Sequence, residues 1–140
     1  MKARFFMALF VLVIPVLLNA PPVQANVESI LTVDKLFTAL NADEMDVALA
    51  AFATDAVVEN RVRGETYYGL AEIEPMLQAM QHEGRQYEIV RLEMVGNTIT
   101  VAVEISDRGQ MWATETIMAE ISEGKVQKFS VSAIQLKLWH

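Results

Sequence analysis

Apolar positions recur first with a helical period and then, beyond residue 84, with a period of two. From Val27 to Leu40 the residues Ile30, Val33, Phe37 and Leu40 fall at spacings of three and four, and Leu31 and Leu36 widen the stripe. That spacing predicts an amphipathic helix starting at or just before Ser29. Asn41-Ala42-Asp43 interrupts it, and Asp43 is suited to cap a second helix whose Met45, Leu49 and Phe52 share one face. Thr54-Asp55 then reads as a turn and Ala56–Asn60 as a strand. A loop runs from Gly64 through Tyr67 and Tyr68 to Gly69. Leu70, Ile73, Met76, Leu77 and Met80 mark a third helix, which Gly84 ends.

Four runs of broad apolar–polar alternation follow, from Gln86 to Val95, Thr98 to Ser106, Gln110 to Ile121 and Lys125 to Leu138. The breaks, Gly96-Asn97, Asp107-Arg108-Gly109 and Ser122-Glu123-Gly124, are short enough for hairpins, which predicts an antiparallel meander. Helices followed by hairpins give an α+β domain with the helices on one face of a curved sheet.

The order of elements carries a specific phrase, Ala39-Leu40-Asn41-Ala42-Asp43-Glu44-Met45-Asp46 followed by Phe52-Ala53-Thr54-Asp55-Ala56-Val57-Val58-Glu59-Asn60. It resembles the opening half of the nuclear transport factor 2-like superfamily, which includes SnoaL-like polyketide cyclase domains and ketosteroid isomerase. Gly69 with Ile73 is similar to that family's entry into its third helix, and Gly124-Lys125-Val126 to its final hairpin. The resemblance implies a cone-shaped barrel: a strongly bent antiparallel sheet and three N-terminal helices enclosing an apolar pocket, often in a homodimer formed through the convex sheet face. It does not imply one activity, because the family spans isomerases, cyclases, dehydratases and non-catalytic binding modules.

Isomerase chemistry of that kind needs a carboxylate base and an oxyanion hole built from a Tyr and a protonated acid. Carried over from Asn41 without gaps, the base position falls on Asn60, the Tyr position on Leu36, and the acid position near Ile117 or Thr116. An amide cannot abstract a carbon-bound proton and Leu donates no hydrogen bond, so that mechanism is not expected. By the same resemblance the pocket wall takes in Leu36, Phe37, Leu40, Val58, Asn60, Ile117, Phe129, Val131 and Ala133. Glu115, in phase with Ala113 and Ile117, would face the pocket and be the candidate catalytic acid or base; a register slip of one residue would turn it to solvent. Asn60 would either contact a ligand or bond its own backbone turn. Trp112, in the opposite phase with Thr114, Thr116 and Met118, would lie on the convex face, where it suits a dimer interface or coverage by the C-terminal segment. Tyr67 and Tyr68, in the loop before Gly69, would either cap the pocket with a hydroxyl or serve as packing rings with wet tips. Lys125 and Lys128 read as a solvated strand edge, and His82 and His140 as surface residues without a catalytic partner.

The N-terminus adds a compartment. Lys2 and Arg4 precede an apolar run from Phe5 to Leu18 and then Val23-Gln24-Ala25, the layout of a secretory signal peptide occupying residues 1–25, with the domain on 26–140. The run falls short of the roughly 20 residues of a membrane span, and an uncleaved anchor is the alternative. The expected location is therefore periplasmic or secreted, with no membrane attachment after cleavage. Cleavage would remove two bases and no acid, leaving nine bases against 18 acids and a net charge of −9. This acidity disfavours nucleic acid as a partner. With no Cys and two His, thiolate metal sites, iron–sulfur clusters and disulfides are excluded, and neither a metal nor a cofactor is expected. The sequence leaves three readings: a binding protein for a small hydrophobic molecule, a pocket enzyme using Glu115 for proton transfer with Asn60 orienting the substrate, and a dimeric interaction module.

Overall fold

The computed structural model describes residues 23–137. The expected signal peptide, apart from Val23–Ala25, lies outside these residues, as do Leu138 and His140.

Helix α1 spans Val23–Asn41. Its buried stripe is Val33, Leu36 and Phe37, flanked by Ser29 and Ala39, while Ile30 and Leu31 sit at the surface. The short α2, Met45–Ala50, is preceded by Glu44. Asp43 does not cap it: at φ 57 it makes the reversal between the helices, a left-handed position that Asp tolerates better than most residues.

Strand β1 runs Phe52–Asn60, so Thr54 and Asp55 belong to a strand and not to a turn. They fall where pairing with the last strand is interrupted, between Phe52 and Val57, which explains the turn-like composition. The expected loop before Gly69 contains a second strand, β2, Glu65–Tyr68, paired antiparallel with β1. Helix α3 spans Gly69–His82 and buries Ile73 and Leu77; Gly84 follows its cap at φ 67.

The meander is β3 (Arg85–Val95), β4 (Thr98–Asp107), β5 (Gln110–Ser122) and β6 (Lys125–Leu136). Its three connections are two residues long. Arg108-Gly109 and Glu123-Gly124 have positive φ at both positions, the backbone that matches strand twist in a tight hairpin.

The sheet order is β2-β1-β6-β5-β4-β3. Neighbours are antiparallel except β1 and β6, which are parallel, so the sheet is mixed; it is open and strongly bent. Because β1 takes one side of β6, Lys125 and Lys128 lie on an inner strand. Lys128 pairs with Glu59 at 3.3 Å and Lys125 donates to the Ala50 carbonyl. Helices α1 and α3 pack on the sheet, α1 against β3 and β6 and α3 against β1 and β2. The core is the concave face: Ile99, Val101, Val103 and Ile105 of β4 are at most 1% exposed, with Ala113, Ile117 and Ala119 of β5 beside them.

Within the meander, pairing skips four residues: Val90 on β3, Trp112 on β5, and Gln127 and Ser132 on β6. Each is a bulge, and each bends its strand and shifts the alternation of side chains by one.

Candidate functional site

Between the concave face and helices α1 and α3 lies a cavity of about 490 Å³. Helix α1 contributes Leu36, Phe37 and Leu40 to its wall, β1 contributes Val58 and Asn60, and the meander contributes Ile117, Phe129 and Val131. The aromatic rings form a chain across it: Phe37 lies 5.9 Å from Tyr87 and 6.3 Å from Phe129, and Phe129 lies 6.2 Å from Phe52. Met76 and Met80 of α3 line the opposite side.

Two expected positions change sides, both at bulges. Ala133 is exposed and is not in the wall. Unpaired Ser132 breaks the phase, so Ala133 stands opposite Thr116 on the convex face, and Ile134, opposite Glu115, lines the cavity instead. Trp112 makes the converse move. As the unpaired residue of β5 it leaves the phase of Thr114 and Met118 and lines the cavity, so it cannot anchor a convex-face interface.

Glu115 faces inward and is half-buried, flanked on the concave side by Val103 and Ile134. Burial pushes its carboxyl above the ordinary range, against the opposing pull of the Arg85 and Arg63 guanidinium groups. Arg85 is fixed twice: its Nε lies 2.8 Å from Glu83 Oε2, and its guanidinium sits 4.7 Å from the centroid of the Trp112 ring. Tyr87, 7% exposed, is pushed up to about 12, first by burial and then by the charge of Glu115. This end of the cavity thus combines a carboxyl that resists ionisation, a phenol that stays protonated, and two guanidinium groups.

Asn60 lines the cavity, but its Oδ1 accepts the backbone N–H groups of Val62 and Arg63, both at 3.1 Å. The turn claims that oxygen and leaves only the NH2 group to offer a ligand. Tyr67 lines the mouth from β2 and donates to Glu65 at 2.8 Å, whereas Tyr68 is 63% exposed. His82 is exposed at the end of α3. Among the described residues no cluster of three or more His, Asp or Glu side chains could hold a metal ion.

Sequence reasoning passed over Arg63, Arg85 and Tyr87. Arg85 and Tyr87 share a phase with Ile89 at the start of β3, so the alternation itself was the available signal. Arg63 enters the wall through the β1–β2 hairpin, whose second strand, four residues long and largely exposed, carries no periodicity by which to place it.

Residues 33–129 match the model of the SnoaL-like domain. No curated protein matches the chain. Among solved structures it is similar to a provisionally named ketosteroid isomerase from Kribbella flavida, at 19% identity and TM-score 0.65, covering 81% of this chain and 80% of that one. A provisionally named polyketide cyclase from Sinorhizobium meliloti gives 24% identity and TM-score 0.63 over 74% of this chain and 93% of that one. A third, from Catenulispora acidiphila, has a ketosteroid isomerase-like fold and was crystallised with trimethylamine; it gives 13% identity and TM-score 0.64 over 73% and 84%. Identities this low carry the fold alone. The match over most of the described residues, on the bent sheet and the three helices among those residues, places the chain in the SnoaL-like domain family of the nuclear transport factor 2-like superfamily.

Proposed function

We propose that this is an exported SnoaL-like protein whose cavity binds a small, largely hydrophobic molecule. The observation that carries the reading is the cavity itself: about 490 Å³, walled by aromatic and aliphatic side chains, with Arg63, Arg85 and Tyr87 within electrostatic reach of Glu115. Such a volume and such a division of surface are typical of small-molecule sites. Native mass spectrometry of protein purified from its host, before and after organic extraction, tests it. A mass lost on extraction, identified as an apolar compound, is the expected result; refilling that fails with every apolar compound tried, and no released mass, would refute it.

Export is supported by the N-terminal layout and by the position of the core, whose first buried residue with a described side chain is Ser29. Cleavage after Ala25 would remove none of the side chains described as buried. Sequencing of protein recovered outside the cytoplasm should begin at Asn26, and material beginning at Met1 would overturn the proposal.

A second reading, proton transfer by Glu115 on an isomerase- or cyclase-type substrate, is favoured by one observation, the inward, half-buried placement of that carboxyl. Two of the structural neighbours bear provisional names of that kind. Under it, Glu115→Gln abolishes turnover of whatever compound the extraction identifies while the fold survives. Full activity in that variant would dismiss Glu115 as the acid or base.

A further inference from the structure

We infer that the molecule taken into the cavity is an apolar carboxylate, seated with its charged group between Arg63 and Arg85. The inference rests on the pocket reading above and names the class of its ligand.

The argument is a count of donors and acceptors at the polar end. Three of the acceptor groups there are already engaged by the protein itself, two of them through one carboxylate oxygen each. Oδ1 of Asn60 takes two backbone N–H groups, Glu65 takes the Tyr67 hydroxyl at 2.8 Å, and Glu83 takes Nε of Arg85 at 2.8 Å. The donors are largely uncommitted. Arg63 has no ion-pair partner within 4.0 Å among the described residues, Arg85 bonds Glu83 through Nε and Tyr87 through its side chain and keeps its other N–H groups, and Asn60 on the cavity wall has an NH2 group that its turn does not use. A ligand complementary to such a surface brings acceptors, and a carboxylate brings two in one plane, the geometry a guanidinium fits.

Glu115 is the group that could contradict this, because an ionised carboxylate there would repel the ligand. Its surroundings oppose ionisation: Val103 and Ile134 flank it, and burial outweighs the pull of the two guanidinium groups. The other titratable groups on the cavity wall are Tyr87, pushed up to about 12, Tyr67 and Glu65, bonded to each other, and Glu83, paired to Arg85. An amine would find Glu115 as its partner but would come within the field of both arginines. The acidity of the whole chain does not decide the matter, since charges more than about 8 Å away are screened at physiological salt.

The test uses three probes of equal length, octanoate, octan-1-ol and octylamine. Each is titrated at pH 7 into the protein as purified from its host and delipidated, and read by calorimetry and by the Trp112 indole resonance. Octanoate is expected to bind about tenfold more tightly than octan-1-ol, the size of effect given by one charge-assisted hydrogen bond. Arg63→Gln, at an exposed position, should erase that preference and leave octan-1-ol unchanged. Glu115→Gln should keep or strengthen octanoate binding. Octylamine binding more tightly than octanoate, or an undiminished preference in Arg63→Gln, overturns the inference. Octan-1-ol binding equal to that of octanoate overturns the head group and keeps the pocket. Failure of all three probes overturns the pocket reading, and this one with it.

Discussion

Asn41 holds the cavity's inner wall in place through two hydrogen bonds, and removing them should be measurable as lost stability. It ends α1, and its side chain grips the main chain of Tyr87 twice: Nδ2 donates to the Tyr87 carbonyl at 2.7 Å, and Oδ1 accepts the Tyr87 N–H at 2.7 Å. β3 is an outer strand with β4 on one side only, so the amide stands in for the strand that is missing on the other. Asn41→Ala leaves a donor and an acceptor, both part-buried, without a protein partner. Each bond contributes about 0.5–1.5 kcal/mol net, and an unsatisfied group in a site that excludes water costs about 1–3 kcal/mol. Partial access of water puts the sum at about 2–3 kcal/mol, against a total of about 5–15 kcal/mol for a domain. The midpoint of thermal unfolding should fall by roughly 10 °C. Asn41→Asp separates the two bonds. At neutral pH its carboxylate still accepts the N–H but sets a second oxygen against the Tyr87 carbonyl, which raises the new carboxyl's pKa in the folded state. The variant should be about as unstable as Asn41→Ala at pH 7 and recover as pH falls through that raised value, when the protonated acid can donate. Urea denaturation followed by circular dichroism at pH 7 and pH 4.5 measures both effects. A loss below about 0.5 kcal/mol for Asn41→Ala, with an unchanged denaturant slope, would refute the reasoning, because the bonds would then be worth no more than water's.

Three further outcomes follow from the same packing. Ile73→Ala, at a fully buried position of α3, should cost about 2–5 kcal/mol in urea denaturation, as large-to-small changes in well-packed cores do. Gly109→Ala meets open space but must hold φ 78, so its cost should be the backbone's alone, about 1–2 kcal/mol, read as a lower unfolding midpoint. Glu115 has its folded pKa raised by burial above the ordinary 4.5, so its contribution to stability is complete below that value and is lost as pH rises through the folded pKa. Urea midpoints for the wild type should therefore fall relative to Glu115→Gln across that window. Parallel profiles for the two proteins would show that burial does not perturb the carboxyl.

The meander was legible because β4 obeys strict alternation: Ile99, Val101, Val103 and Ile105 face one side without interruption, and Gly-containing pairs mark the turns. The first helix was legible from Val33, Phe37 and Leu40, and eight of the nine expected wall residues line the cavity. What could not be read was where alternation fails. Trp112 and Ser132 are ordinary strand residues by composition, and nothing local marks either as the extra residue of its strand; only the pairing partner fixes that. One unmarked residue in each strand moved Ala133 out of the wall and Trp112 into it. β2 was missed for another reason: four residues on an outer strand, largely exposed, have too little burial to impose a pattern.

The bulges that hid these positions also build the site. A regular sheet of this width would lie against α1 and α3 as a gently twisted surface, and the two helices would cover it. Bulges at Val90, Trp112, Gln127 and Ser132 add residues on both sides of the unbroken strand β4, so the sheet bends around the helices and encloses space they do not fill. Two of them also supply its chemistry. The bulge at Trp112 turns an indole inward, where Arg85 stacks on it and is aimed by Glu83, and the Trp112 carbonyl accepts the Lys137 N–H at 2.8 Å, tying the end of β6 to the same point. The bulge at Ser132 places Ile134 beside Glu115 where Ala133 would otherwise stand, and the larger side chain excludes more water from that carboxyl. Restoring regular pairing at either position would leave the strands intact while exposing Glu115 or freeing Arg85. The polar end of the cavity therefore depends on irregular backbone as well as on its acidic and basic residues.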